Sequence, residues 1–228
     1  MILWNGIDIR TKGIINEKIP TITKGKKRIE TYEVEGKNGL LMVDKGTYES
    51  FIVSLSCHFN ENVFDIDEIK SFLDGYGKLS IDGVREYEAV INNQIDFEEV
   101  LRSGFRKFPI QFLCNPIAHD IEPTSVEITE SPTTFTINQT ANTYPVLTIK
   151  GTGDVVIYFN NKAFYLYNLN SEYTYTLDCD AKEIIDQLGR NCSNQMRYDF
   201  PYLKPGENTI TYTGTITSFE IEYKKAYL

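Results

Sequence analysis

The second half of this chain is punctuated too often to be helical. Between residues 133 and 223 come TTFTIN, PVLTIKG, DVVIYFN, KAFYLYN, YTYTLD, NTITYTG and SFEIEY, short runs with alternating character. They are rich in β-branched and aromatic side chains, which suit a pleated, half-buried surface. Gly151-Thr152-Gly153, Asn160-Asn161 and Pro205-Gly206 stand between them as turn residues. Short strands at this spacing pair with their neighbours as an antiparallel sandwich. The GxG of KGTGDV is read as a turn joining two strands. With no helix after it, it cannot cradle a phosphate at a helix N-terminus. DAKEIIDQLG, residues 180–189, reads as a short helix or an irregular turn.

The first half carries strands and one helix. ESFIVSLSCHF alternates, with Phe51, Val53 and Leu55 on one face. In DIDEIKSFLDG, Asp65 is placed to cap a helix and Glu68 completes a capping-box pattern. Ile66, Ile69 and Leu73 recur at helical spacing, and Gly75 is placed to end the helix. KLSIDGVREYEAVI reads as a hairpin turning at Asp82-Gly83, a pair that tolerates positive φ. In FRKFPIQFLCNP, Phe108, Ile110, Phe112 and Cys114 share a strand face, with Pro116 as its stop. Pro109 has no N–H to give a ladder, which predicts an edge strand or a bend there. The texture changes after Pro116, with Pro123 following and few large apolar residues between. The expected organisation is mainly β: an N-terminal antiparallel domain with one helix over 1–120, and a C-terminal β-sandwich over 121–228.

Little in the sequence points to chemistry. The formal net charge is −9 and the pI about 4.9, the opposite of the basic field that specific nucleic-acid binding needs. Apolar runs such as GLLMV are too short to span a bilayer, and no basic segment precedes the apolar N-terminal residues, so neither membrane insertion nor a secretory signal is expected. Cys57, Cys114, Cys179 and Cys192 form no CxxC pair and read as buried free thiols, with a Cys179–Cys192 disulfide as the alternative. His58 and His119 are the only histidines, far apart in sequence and without ligand or triad spacing. Asp96, Glu98 and Glu99 of DFEEVL read as solvated surface. No catalytic residue, metal site or cofactor is expected. TKGKKRIETYEVEG is more distinctive: Lys24, Lys26, Lys27 and Arg28 cluster ahead of Glu30, Glu33 and Glu35. Adjacent opposite charges suit a protruding hairpin that meets a partner, and these four basic residues are the interface candidates. The aromatics of FYLYN and EYTYTL either fill the sandwich core or stack on sugar rings.

Five stretches carry a resemblance: WNGID at 4–8, DIDEIKSFLDGYGKLSI at 65–81, YEAVINNQIDFEEVLRSGFRKFPIQFLCNP at 87–116, YPVLTIKGTGDVVIYFN at 144–160 and DFPYLKPGENTITYTGTITSFEIEY at 199–223. Together the chain resembles the distal tail proteins of long-tailed phages, with their prophage and tailocin relatives. The resemblance implies a split-barrel-like N-terminal domain that builds a ring, commonly a hexamer, around a channel through which DNA passes. It implies a galectin-like or carbohydrate-module-like C-terminal sandwich that projects outward. The ring would join the tail tube to the tail-tip hub or tail-associated lysin at the virion tail tip, after assembly in the host bacterial cytoplasm. In some phages it also carries receptor-binding proteins. A carbohydrate-binding module aiding host-surface recognition is the alternative.

Overall fold

The computed structural model describes residues 1–21, 23–100 and 103–228. Residues 101 and 102, within the 87–116 stretch, lie outside the described residues. Packing divides the chain into two compact units, residues 1–118 with Leu228 and residues 119–227. Each has its own hydrophobic core.

In the first unit, β1 (Leu3–Trp4), β2 (Ile7–Asp8), β3 (Ile15–Asn16), β6 (Phe51–Asn60), β7 (Tyr76–Ser80), β8 (Arg85–Ile91) and β10 (Phe105–Asp120) form one sheet in the order β2-β1-β7-β8-β10-β6-β3. The two-residue β9 (Glu98–Glu99) also pairs with β10. WNGID forms its first turn: Asn5 and Gly6 both take positive φ, 53° and 77°, as a tight hairpin requires. The core follows from register. Phe108, Ile110, Phe112 and Cys114 of β10 stand opposite Cys57, Leu55, Val53 and Phe51 of β6, and all eight are buried. Trp4 closes on Phe112 with ring centroids 5.0 Å apart. Helix α1 (Ile66–Phe72) adds Ile69 and Leu73 to the same cluster. The Asp65 carboxylate accepts from the Asp67 N–H at 2.8 Å, so the cap engages the second helical residue.

Of the two prolines of β10, Pro109 is not at a sheet edge and Pro116 does not end the strand. Pro109 lies in a strand flanked by β8 and β6, not at an edge. The Ser56 carbonyl opposite it accepts from Glu17 N–H, on the β3 side, so the Pro109–Ser56 pair exchanges no ladder bond. The missing N–H of Pro109 therefore faces the other flank. There β8 has already ended, and the Asn93 side chain donates to the Pro109 carbonyl at 3.0 Å and accepts from Gln111 N–H at 2.6 Å. Pro116 does not stop the strand, which runs to Asp120. Its register with β6 ends earlier, at Cys114, so β6 asks for no N–H at 116.

The second unit is built on two long strands, β13 (Val146–Phe159) and β18 (Gly206–Tyr223). Around them lie β11 (Thr124–Glu127), β12 (Thr133–Ile137), β14 (Lys162–Leu169), β15 (Thr174–Asp178), β16 (Glu183–Asp186) and β17 (Met196–Arg197). The order is β11-β18-β13-β14-β17, with β12 on β18 and β16-β15 on β13. The last short strand of the chain is β19 (Ala226–Tyr227). Gly151-Thr152-Gly153 is not a turn: β13 passes through it, and its register against β18 slips there. A Cβ on Gly151 would meet the Thr215 carbonyl at 2.6 Å, and one on Gly214 the Asp154 carbonyl at 2.6 Å. Bare backbones thus meet at a bulge that bends the long strands. On one side of it β13 pairs with β15, on the other with β14. DAKEIIDQLG also departs from expectation. Its centre is strand β16, because Ile184 enters the core opposite Leu177. All four cysteines are free and buried, so no disulfide joins Cys179 to Cys192.

Candidate functional sites: an exposed hairpin and an aromatic cleft

The basic cluster opens an isolated hairpin. Strands β4 (Lys27–Glu33) and β5 (Leu40–Tyr48) pair only with each other, and every residue of the two except Tyr48 is exposed. The root is fixed. Glu49 N–H donates to the Lys26 carbonyl at 2.7 Å, and Gly25 is buried so tightly that an added Cβ would meet Pro116 at 2.8 Å. The four interface candidates are not alike. The Lys27 ammonium is ion-paired with the Asp44 carboxylate, which with the Gly46 N–H holds that carboxyl below its usual range. Lys24 lies over the Tyr48 ring at 5.8 Å. Lys26 and Arg28 are exposed. Among the acids, Glu30 takes Lys45 at 2.7 Å. The second strand thus supplies partners to two of the four basic residues, Asp44 to Lys27 and Tyr48 to Lys24.

Sequence reasoning missed the apolar side chains of this hairpin as site residues, although GLLMV was visible as an apolar run. Ile29, Tyr32, Val34, Leu40, Leu41, Met42 and Val43 are all exposed, Met42 to 68%. Cross-strand register puts Ile29, Met42 and Leu40 on one face and Tyr32, Leu41 and Val43 on the other. A lone two-stranded ribbon with apolar residues on both faces is marginally stable in water, and its two backbone edges are open for pairing.

The second candidate lies in the C-terminal unit. The segment 198–204 folds back beside β14 and encloses a cleft of about 730 Å³. Alternation along β14 sends Phe164 and Leu166 into the core and turns Tyr165 and Tyr167 outward. Their rings stack at 6.1 Å and 14°, and Tyr198 joins the row 5.2 Å from Tyr165. Across the cleft, Tyr202 contacts Tyr144 at 6.2 Å, and Lys162 donates to the Tyr202 hydroxyl at 3.1 Å. Asn142, Asp199 and Lys204 add polar groups to the rim. The wall is held from behind. Leu203 and Thr143 exchange backbone bonds of 3.0 and 2.9 Å. The fully buried Asn208 accepts from Lys204 N–H at 3.0 Å and donates to the Lys204 carbonyl at 2.8 Å. In FYLYN, Phe164 is core and the two tyrosines face outward. In EYTYTL, Tyr175 is core.

Among the described residues no other site of chemistry assembles. His58 Nδ1 lies 3.3 Å from the Glu17 carboxylate, which also binds Lys107 at 2.8 Å, and the neighbouring Cys57 faces the core. Asp96, Glu98 and Glu99 are exposed. Among the described residues no group of three or more His, Cys, Asp or Glu could hold a metal ion. Among them, too, no helix is long and apolar enough to cross a membrane.

Residues 118–227 match a family profile described as the siphovirus-type tail component, C-terminal domain. Over 100% of this chain and 98% of the other, the fold is that of the crystal structure of SPP1 Dit, described as a paradigm of hub adsorption apparatus in Gram-positive infecting phages, at 13% identity and a TM-score of 0.80. The structure of the phage p2 baseplate in its activated conformation with Ca contains a chain similar at 7% identity and a TM-score of 0.50, over 96% of this chain and 92% of that one. No curated protein matches the chain.

Proposed function

This chain belongs, through residues 118–227, to the siphovirus-type tail component family, that of the distal tail proteins, and from that premise we propose that it forms a closed ring at the distal end of a phage-type tail. It is a structural protein of the tail. In the proposed reading the ring, a hexamer, joins the tail tube on one side to the tail-tip hub or tail-associated lysin on the other. Receptor-binding proteins dock on it in some assemblies, and DNA passes through its channel unread. It catalyses no reaction of its own.

The observation that carries the ring is the uncovered hairpin. Ring contacts are heterologous: one patch of each copy meets a different patch of the next. A ribbon whose own unit leaves Ile29, Leu41 and Met42 exposed is suited to be one of those patches. Burying them against a neighbour removes apolar area from water at about 25 cal/mol per Å². The exposed Lys26 and Arg28 at its root tune encounter and register rather than supply the bulk of the affinity.

The test is the mass of the full chain in solution, by native mass spectrometry or light scattering. A ring of six copies is expected from the wild type. The double variant Leu41→Asp, Met42→Asp should be a folded monomer by circular dichroism, since neither side chain supports the core. A wild type that stays monomeric at high concentration, or a double variant that assembles unchanged, would count against the reading.

A further inference from the structure

We infer that the cleft between β14 and residues 198–204 binds a saccharide, with a pyranose ring stacked on Tyr165 and Tyr198. The inference stands apart from the ring, since every residue it uses lies within the C-terminal unit.

The first argument is where the exposed aromatic surface lies. Among the described residues of 119–227 the exposed large apolar side chains are Tyr144, Leu188 and Tyr198. Tyr198 lines the cleft, and Tyr144 touches the cleft residue Tyr202. Solvated tyrosines scatter when they serve no end, yet these flank one cavity. That cavity falls within the usual range for small-ligand sites, about 300–1,000 Å³.

The second argument is backbone conformation. Tyr198 holds φ at +73°, in the left-handed region that aromatic residues rarely enter, while its side chain is 72% exposed. No burial of this ring explains the strain. What the conformation achieves is to place the ring beside Tyr165 at 5.2 Å and 45°. Arg197 already lies over Tyr167 at 5.3 Å, so Tyr165 and Tyr198 are the accessible end of the row.

The third argument is the chemistry of the rim. A pyranose has an apolar C–H face and a girdle of hydroxyls that both donate and accept. Tyrosine rings match the face. Asp199 accepts, Lys162 and Lys204 donate, and Asn142 does both. Lys162 is held in place, bonded to the Tyr202 hydroxyl and 5.0 Å from its ring. A nucleic acid would need more than two lysines beside an aspartate. The anchoring of Leu203 and Lys204 from behind keeps the wall in its open shape before any ligand arrives, which lowers the ordering cost of binding.

The test is a glycan array of soluble pyranose oligosaccharides probed with the full chain, followed by titration calorimetry on the best binder. Tyr198→Ala should weaken that binding about tenfold or more, since a stacked ring is worth on the order of one decade in Kd. Lys162→Ala should weaken it too, while Leu188→Ala, exposed but away from the cleft, should leave it unchanged. Because Tyr198 is exposed, its variant should keep the wild-type melting temperature. An array with no binder at millimolar glycan overturns the inference. So does glycan binding indifferent to Tyr198→Ala and Lys162→Ala. Binding of an oligothymidine to the same tyrosines without any glycan binding would assign the cleft to nucleic acid instead.

Discussion

Asp186 is among the few charged or polar side chains buried in this protein, and its surroundings show why it stays charged. Burial opposes its ionisation, but the Arg190 and Leu188 N–H groups at 3.0 and 2.9 Å and the Arg190 guanidinium at 2.6 Å outweigh that. Its pKa is held below the ordinary 3.8. The folded protein therefore binds this proton less readily than the unfolded chain does. The stabilisation it gives is complete above the ordinary value and is lost as pH falls through the lower, folded one. Asp186→Asn should melt earlier than wild type near neutral pH, and the gap should close well below pH 3.8. Calorimetry across that range checks it, and a gap independent of pH would mean the carboxylate's charge is not what matters. The thiols make the opposite case. Burial pushes Cys57 and Cys114 up to about 12, so the reactive thiolate is scarce at mildly alkaline pH. Iodoacetamide should label neither in the native protein, and both at once when urea unfolds it. Fast native labelling would show that the N-terminal core opens locally.

At the level of elements, much of the fold was legible because its signals are local. Alternation predicted the inward faces of β6 and β10, and Asp82-Gly83 predicted the turn of β7 into β8, where Gly83 takes φ of 79°. The misread elements are those in which one local signal serves two geometries. Paired glycines mark a hairpin turn or a bulge. At 151–153 the partner strand decides, since Gly214 stands ready across from the bend. A proline in a strand predicts an edge or a bend, yet Pro109 lies in an inner strand of the sheet, on a flank where β8 has ended and the Asn93 side chain takes the place of the ladder. The sequence of FYLYN left its aromatics as either core or exposed stacking surface. It could not tell that residues 198–204, more than thirty positions on, return beside them. The bulge gives the test at this scale. Gly214 holds φ at 102°, and a side chain there meets both the Asp154 carbonyl and Val155. Gly214→Val should cost about 2–4 kcal/mol, through strain and overpacking together. Urea unfolding measures it, and a loss below 1 kcal/mol would mean that the strands can separate at the bulge without harm.

For the whole molecule, the question is which unit supplies which property. The C-terminal unit has a core of its own, from Leu147, Ile149, Ile157, Phe164, Phe219 and Ile221 among others, and the family profile matches it without the rest of the chain. Its exposed large apolar residues are few, and two of the three belong to the cleft or its rim. The N-terminal unit is the reverse: its hairpin leaves seven large apolar side chains exposed, from Ile29 to Val43. Association should follow that imbalance, since buried apolar area drives most of it. A fragment of residues 118–228 keeps the Asp120 N–H bond to the Lys225 carbonyl that ties its two ends together. We expect this fragment to fold with one cooperative transition and to stay monomeric at concentrations where the full chain assembles. Sedimentation velocity on the two side by side decides it. A fragment that forms rings by itself would move the assembly surface from the hairpin to the sandwich. A fragment that does not fold would show that its core needs the N-terminal unit, whatever the two separate clusters suggest.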